Sequence, residues 1–339
     1  KAGEAFHRAE TSAPDPFAAL RAAGIYYARK GLSDRARHYL EKARRLQNGD
    51  ETVRALLADL DRPTAPSGPA PTISACLIVK DEEAFLENCL KSIKDWVDEI
   101  IVVDTGSTDR TVEIARRFTG RVYFHPWRDS FSEARNTAMG YATGDWILTI
   151  DADEELVSGS GELLRRAVRE AGDADAIYAN VISVFSGGRK TARHNSERLL
   201  RNNGVIRYEG RVHNRVAGVT KPYPSKVELM HYGYNVEEKK AQEKFFRTVA
   251  LLKAQVADNP ENPMPHHYLG TSYLARGMYK ESLEESLLAI DLAERSESMD
   301  VIYLTTHHNA ALAFFSLKDL DGAREYSLRA LKKYPDHLD

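Results

Sequence analysis

The sequence predicts an α/β core with a mostly parallel, Rossmann-like sheet, flanked at both ends by all-α segments. Two observations predict the core: three apolar runs of strand length each end in acidic residues, and helical stretches separate them. A third observation, a spacing of small and aromatic residues that recurs in both flanking segments, predicts the helices. With 339 residues, the chain is expected to form two or three domains.

The first segment, residues 1–61, is predicted to be helical, and residues 62–71 are predicted to be a linker. The linker contains four prolines in ten residues, which excludes a helix or an inner strand. We place the α/β domain at residues 72–235 and a second helical domain at residues 236–339.

The three predicted strands follow in order, and each one leads into acidic residues. Residues 72–79 are followed by Lys80-Asp81-Glu82, residues 99–104 end in Asp104, and residues 146–150 lead into Asp151-Ala152-Asp153. In a parallel α/β sheet, ligands bind at the carboxyl ends of the strands. All three acidic clusters are therefore expected at the edge where a ligand would bind.

Asp151 and Asp153 are predicted to lie on the same side of the chain, because side chains alternate along a strand. Two neighbouring carboxylates form an all-oxygen site that suits Mg²⁺ or Mn²⁺ bridging to a phosphate. The alternative is a solvated acidic turn before a helix.

Four motifs in this order resemble glycosyltransferase family 2: Ile78-Val-Lys-Asp-Glu82, Val103-Asp-Thr-Gly-Ser-Thr-Asp109, Phe131-Ser-Glu-Ala-Arg-Asn136 and Asp151-Ala-Asp-Glu154. The resemblance covers roughly residues 72 to 235. It implies the GT-A fold, a nucleotide-sugar donor and inversion at the anomeric carbon.

The resemblance also assigns donor and metal roles. It implies donor contacts for Asp81, Glu82, Asp104, Arg135, Asn136 and Asp151, and metal ligation by Asp153, His231 and Asp151. The alternatives are structural: Asp104 as a helix cap, Asp81 and Glu82 at the start of a helix over residues 82–94, and Arg135 in a surface ion pair with Glu133 or Asp129. His231 could equally be a packing residue.

The acceptor side shows one match to the family and one departure from it. His213 resembles the end of the family's acceptor-side segment, but Asn214 stands where many relatives have a glutamate. Inversion requires a carboxylate base, and the candidates are Glu209, Glu154 and Glu155, of which we favour Glu209. Arg198 belongs to a basic cluster with Arg193, His194 and Arg201, which is expected either to hold a phosphate or an acidic acceptor or to be a solvated loop.

The flanking segments resemble tetratricopeptide repeats (TPRs). The matching positions are Gly24, Tyr27, Gly31, Ala36 and Ala43; then Gly270, Tyr273, Gly277, Ser282 and Ala289; then Ala311, Phe314, Ala323, Ala330 and Pro335. Stacked helix pairs form concave surfaces that suit polypeptides. The helices could equally cover apolar surface of the catalytic core.

The net charge, the length of the apolar runs and the cysteine content bear on which classes of function are expected. A net charge of −3 argues against nucleic-acid binding, and no apolar run approaches membrane-spanning length. Two cysteines without a metal or disulfide pattern favour a reducing compartment, so we expect a cytoplasmic protein.

Together these observations predict a metal-dependent, inverting transferase that moves a sugar from a UDP-sugar to a protein, peptide or glycan acceptor. A catalytically degenerate scaffold for protein–protein interaction is the alternative. A nucleotidyltransferase is disfavoured, because Lys80–Glu83 is too acidic to hold a triphosphate.

Overall fold

The computed structural model of the chain describes residues 15–29, 33–61, 69–185, 190–233, 238–296 and 302–335. The chain divides into two compact units, Lys1–Pro69 and Ala70–Asp339. The division falls inside the predicted proline-rich linker, most of which lies outside the described residues.

Within its described residues, the first unit contains three helices: α1 (Pro16–Arg29), α2 (Ser33–Leu46) and α3 (Glu51–Asp61). Helices α1 and α2 approach closely at Gly24, where an added Cβ would lie 2.5 Å from Leu40 Cγ. Tyr27, Ala36 and Ala43 are buried as well. The predicted small and aromatic positions therefore form the helix contact, and Gly31 lies outside the described residues.

The second unit is built on a large mixed sheet. Its strands are β1 (Ile73–Val79), β2 (Glu99–Asp104), β3 (Val122–Phe124), β4 (Trp146–Thr149), β5 (Glu154–Leu156), β6 (Ala176–Phe185), β7 (Lys190–Arg201) and β10 (Pro222–His231). In the part of the chain that the structure describes, their order is β3-β2-β1-β4-β7-β6-β10-β5. Strands β8 (Arg207–Glu209) and β9 (Arg215–Ala217) form a separate antiparallel pair.

The three predicted strands are β1, β2 and β4, and they lie side by side. β1 pairs in parallel with both β2 and β4, and β2 pairs in parallel with β3. Their carboxyl ends therefore meet at one edge, which brings the three acidic clusters to the same edge as expected. The α/β fold class predicted from the sequence is confirmed.

β7 differs from the expectation for the basic cluster. It runs antiparallel to both β4 and β6, so Arg193, His194, Arg198 and Arg201 lie on an inner strand and not in a solvated loop. The polar residues 190–197 form a strand because they pair with β6, and residues 199–201 pair with β4.

Four helices cover the sheet: α4 (Leu86–Ile93), α5 (Thr111–Arg116), α6 (Phe131–Gly140) and α7 (Ser160–Glu170). The largest core cluster includes Leu77, Leu90, Trp146 and Leu148, all at most 1% exposed. α4 begins four residues later than the expected start at residue 82. Asp81 and Glu82 are therefore not at its first turn.

Five further helices follow: α8 (Glu238–Asp258), α9 (Pro263–Leu274), α10 (Tyr279–Ser296), α11 (Tyr303–Ser316) and α12 (Leu320–Lys333). Small residues again allow close approach, because an added Cβ at Gly270 would lie 2.5 Å from Ser286 Oγ and one at Gly322 would lie 2.6 Å from Phe314. These helices belong to the same unit as the sheet. The boundary between residues 235 and 236 stays a prediction.

Among the described helices, none combines the length and the apolar character that a bilayer crossing requires.

Candidate functional site

The turns after β1 and β2 are joined by their acidic residues. Asp81, at a φ of 54°, accepts a hydrogen bond from the Thr108 amide at 2.7 Å and donates its own amide to Ser107 Oγ at 3.0 Å. The buried Asp104 carboxylate accepts from the Gly106 and Ser107 amides at 3.2 and 3.0 Å. Both carboxylates therefore shape the turn at residues 104–108, and their predicted donor contacts stay predictions.

Glu82 lies in the same pair of turns. Its amide donates to Thr111 Oγ1 at 2.7 Å, and the neighbouring Glu83 amide donates to Asp109. The segment after β1 is thus fixed against the start of α5.

Asp151 is held by two arginines from different elements. Arg135 Nη2, from α6, donates to Asp151 Oδ1 at 2.6 Å, and Arg198 Nη1, from β7, lies 3.8 Å from Oδ2. Burial raises the pKa of the Asp151 carboxyl, but the two guanidiniums outweigh it and lower the pKa to about 2. Arg135 faces this carboxylate, and the alternative ion pair with Glu133 or Asp129 does not form.

Glu154 closes the turn that carries the aspartates. Its carboxylate is 1% exposed, accepts from Arg198 Nη2 at 2.5 Å and accepts from the Asp151 amide at 3.0 Å. The Glu154 amide in turn donates to the Asp151 carbonyl at 3.0 Å. Burial raises the pKa of Glu154 to about 7, against the lowering effect of Arg198. These contacts suit a side chain that fixes the turn.

Asp153 and His231 are brought together by the pairing of β5 with β10. Glu154 and His231 are direct partners in this antiparallel pair, and the Tyr232 amide donates to the Asp153 carbonyl at 2.9 Å. As a result Asp153 Oδ2 lies 3.3 Å from His231 Nε2, and His231 Nδ1 lies 3.4 Å from Ser183 Oγ. Burial lowers the pKa of His231, but the hydrogen bond to Asp153 and the nearby carboxylates give a net rise.

Asp153 and His231 can pack this closely against residue 233 because it is a glycine. An added Cβ there would lie 1.9 Å from Asp153 Oδ2 and 2.8 Å from His231 Nε2. A carboxylate oxygen and an imidazole nitrogen 3.3 Å apart suit a cation such as Mn²⁺. The donor atoms therefore fit the implied divalent cation.

The predicted third ligand, Asp151, is turned toward Arg135. Across the described residues, no cluster of three or more His, Cys, Asp or Glu side chains is arranged to hold a metal ion. The Asp153–His231 pair thus offers two protein ligands and leaves the other coordination positions open.

Asn136 connects α6 to strand β8. Its side-chain amide donates to the Tyr208 carbonyl at 2.9 Å and its Oδ1 accepts from the Tyr208 amide at 2.8 Å. The Tyr208 hydroxyl donates to Thr149 Oγ1 at 2.9 Å, and the Arg135 guanidinium lies 5.3 Å from the Tyr208 ring centre. Tyr208, which the sequence analysis did not single out, therefore links the end of β4 to Arg135.

The three candidate bases occupy different places. Glu154 is enclosed in the aspartate turn, and Glu155 is the next residue of β5, where it pairs with Met230. Glu209 lies on β8 and bonds to Arg207 at 2.6 Å and to Arg215 at 2.8 Å. His213 is exposed, and its ring stacks on Tyr268 of α9 at 4.2 Å.

Two solved structures are similar in parts. S. aureus TarS residues 1–349 in complex with UDP-GlcNAc is 13% identical, with 79% of this chain and 93% of that chain covered and a TM-score of 0.45. Glucosyl-3-phosphoglycerate synthase from Mycobacterium tuberculosis in complex with Mn²⁺ and UDP-glucose is 30% identical over 35% of this chain and 45% of that one, with a TM-score of 0.29.

Two sequence relatives are each 32% identical to the chain. A TPR repeat-containing protein of Synechococcus elongatus is 32% identical over 78% of this chain and 67% of its own length. The glycosyltransferase SunS of Bacillus subtilis, derived from prophage SPbeta, is 32% identical over 57% of this chain and 47% of its own length. The chain thus spans about two thirds of the first relative and about half of the second.

The family model described as glycosyl transferase family 2 matches residues 74–222, which run from the second residue of β1 through β9 and include the aspartate turn. The chain carries a glycosyltransferase family 2 domain with a GT-A core, and tetratricopeptide-like helices precede and follow it in the sequence.

Proposed function

We propose that the chain transfers a sugar, with inversion, from a nucleotide-sugar to a protein, peptide or glycan acceptor, and that a UDP-sugar is the donor. The observation that carries the proposal is the Asp153–His231 pair, whose carboxylate oxygen and imidazole nitrogen lie 3.3 Å apart and pack against Gly233. Arg135 and Asp151 lie next to it, on the same edge as Asp81 and Asp104.

A bound Mn²⁺ or Mg²⁺ would neutralise the charge of the diphosphate leaving group. Asp153 and His231 would hold the cation. Arg135 and Arg198 hold Asp151, while Glu154 fixes the turn between the two aspartates. Asp104 and Asp81 would contact the nucleoside at the ends of the neighbouring strands.

We assign deprotonation of the acceptor to Glu209. Its carboxylate bonds to Arg207 and Arg215 and is 31% exposed, so an incoming acceptor can reach it. Glu154 is a weaker candidate, because an enclosed carboxylate that bonds to Arg198 and to the Asp151 amide is poorly placed to receive a proton from an incoming acceptor. A polypeptide acceptor is favoured by the tetratricopeptide-like helices.

We place the reaction in the cytoplasm. Among the described residues, Cys76 and Cys89 are free and buried, which fits a reducing compartment.

The test is a thermal-shift screen of nucleoside diphosphates with Mn²⁺. UDP at about a hundred times its dissociation constant should add roughly 2.7 kcal/mol to the free energy of unfolding. Asp153→Ala should remove most of that gain, whereas Asp95→Ala, at an exposed ion pair with Lys94, should keep it. No stabilisation by any nucleoside diphosphate with Mn²⁺ or Mg²⁺ would contradict the donor site.

Turnover is tested separately. Metal-dependent hydrolysis of the UDP-sugar in the absence of acceptor is the expected activity. Binding without any turnover would favour the degenerate scaffold over the enzyme.

A further inference from the structure

The loop at residues 210–214, which follows β8, has an unusual backbone. Gly210 has a φ of 94° and His213 a φ of 49°. A positive φ is uncommon for a residue other than glycine, and it persists only where the surroundings determine it. Something outside the loop must therefore fix His213 in this conformation.

Two of the C-terminal helices supply the contacts that fix the loop. Gln255 Oε1, from α8, accepts hydrogen bonds from the Arg211 amide at 2.9 Å and from the Val212 amide at 3.4 Å. Asp258, at the end of α8, accepts from Arg211 Nε at 2.7 Å. The Gln255 side chain thus replaces the backbone partners that these two amides would have in a strand or helix.

An aromatic contact and an apolar cluster complete the attachment. The His213 imidazole stacks on the Tyr268 ring of α9, with ring centres 4.2 Å apart and planes 11° apart. Val212 is buried in one cluster with Leu252 of α8 and Leu269 of α9. The loop and the two helices therefore share a core.

The same loop borders the candidate site. The Phe131 amide, at the start of α6, donates to the Arg211 carbonyl at 2.8 Å. One helical turn later α6 carries Arg135, which bonds to Asp151. On the other side, Tyr208 lies against Arg135, two residues before Gly210.

We propose that Gln255 and Tyr268 are positioning residues, which hold the loop at residues 210–214 so that His213 contacts the acceptor. Helices α8 and α9 then form one side of the acceptor-binding site. The inference rests on the proposed function, because it assumes that a sugar acceptor enters beside Arg135 and Asp151. Gln255 and Tyr268 then set the affinity for the acceptor without contacting the donor.

The experiment compares Tyr268→Ala with Tyr268→Phe, which keeps the stacking ring, and adds Gln255→Leu. The donor readout is the affinity for UDP with Mn²⁺. The acceptor readout is the transfer of labelled sugar, from the donor found in the screen, to two probes: a random peptide library and a panel of methyl glycosides. Hydrogen exchange at residues 207–215 reports the order of the loop, and exchange in α10 to α12 reports whether the helices remain folded.

Tyr268→Ala and Gln255→Leu should each lower kcat/KM for the better probe at least tenfold, mainly through KM, and should speed hydrogen exchange in the loop. Affinity for UDP with Mn²⁺ should stay within twofold, and Tyr268→Phe should behave like the unmodified chain. A merely structural contact would change stability without this split between acceptor and donor.

Two failures can be told apart. Transfer by the unmodified chain that survives Tyr268→Ala and Gln255→Leu, or an equal loss of UDP affinity, would overturn this inference and leave the proposed function intact. An unmodified chain that transfers sugar to neither probe would contradict the proposed function, and the inference with it.

Discussion

Replacing Gly233 by alanine should displace Asp153 and His231 from their present positions without removing either side chain. The added Cβ would lie 1.9 Å from Asp153 Oδ2 and 2.8 Å from His231 Nε2. An ordinary carbon–oxygen contact needs about 3.4 Å, so the carboxylate must move by roughly 1.5 Å. The substitution therefore tests the position of the ligands and leaves their chemistry unchanged.

The expected loss is large for metal binding. Metal–ligand distances tolerate changes of about 0.2 Å, and disturbing the groups that orient a ligand costs roughly 10- to 100-fold in affinity. We expect the dissociation constant for Mn²⁺, with UDP present, to rise about 100-fold, or about 2.7 kcal/mol. Overpacking at this position should lower the free energy of unfolding by about 1–3 kcal/mol.

Calorimetric titration of Mn²⁺ into the protein with saturating UDP measures the first quantity, and urea denaturation measures the second. Gly120→Ala is the matched control, since an added Cβ there has no heavy atom within 4 Å. Unchanged Mn²⁺ affinity in folded Gly233→Ala would refute the assignment of the metal to Asp153 and His231.

Three further outcomes are expected. Glu154→Gln should lower the free energy of unfolding by about 1.5–3 kcal/mol, because it removes the charge-assisted hydrogen bond to the buried Arg198 and leaves Asp151, at 3.8 Å, as its anionic neighbour. Glu154→Gln with Arg198→Met should lower it less. A full-length, equally stable Glu154→Gln variant without transfer would instead identify a base. Burial lowers the pKa of His267 to about 4. His267 is therefore neutral in both the folded and the unfolded state above pH 6.5, and below pH 6.5 the unfolded state binds a proton first. The free energy of unfolding measured with urea should therefore fall by about 3 kcal/mol between pH 6.5 and 4. His267→Asn should reduce this loss, whereas His308→Asn, on the exposed side of α11, should not. Because residues 1–69 form a separate unit, a chain starting at Ala70 should bind UDP with Mn²⁺ normally by calorimetry; a chain that fails to fold would show that the first unit stabilises the core.

The sequence alone was sufficient for the strands whose residues are buried on both faces. Residues 100–103 before Asp104 are all apolar, residues 146–150 before Asp151 are apolar except for Thr149, and both runs end in acids, so their type and their common edge followed directly. β7 was not predictable in this way, because residues 190–198 are mostly polar. The strand conformation of these residues depends on backbone pairing with β6, which sequence periodicity does not report.

In the candidate site too, residues in local motifs could be predicted, and roles that depend on distant contacts could not. Local motifs located the aspartates and Arg135, but they did not separate Glu154, Glu155 and Glu209 as bases. The distinction depends on burial and on partners distant in the chain: Arg198 lies 44 residues after Glu154. The spacing role of Gly233 depends in the same way on the pairing of β5 with β10.

The side of β10 on which His231 lies depends on whether the number of extra residues in the preceding bulge is even or odd. Between Pro224 and Glu228, four residue steps on β10 lie opposite two steps on β6, and Ser225 Oγ secures the irregularity by donating to the backbone of β6 at 2.6 Å. The surplus is an even number, so the alternation of faces continues unbroken into His231. Deleting one residue from this bulge would invert every side chain that follows it and turn the imidazole away from Asp153, whereas deleting two would leave it in place.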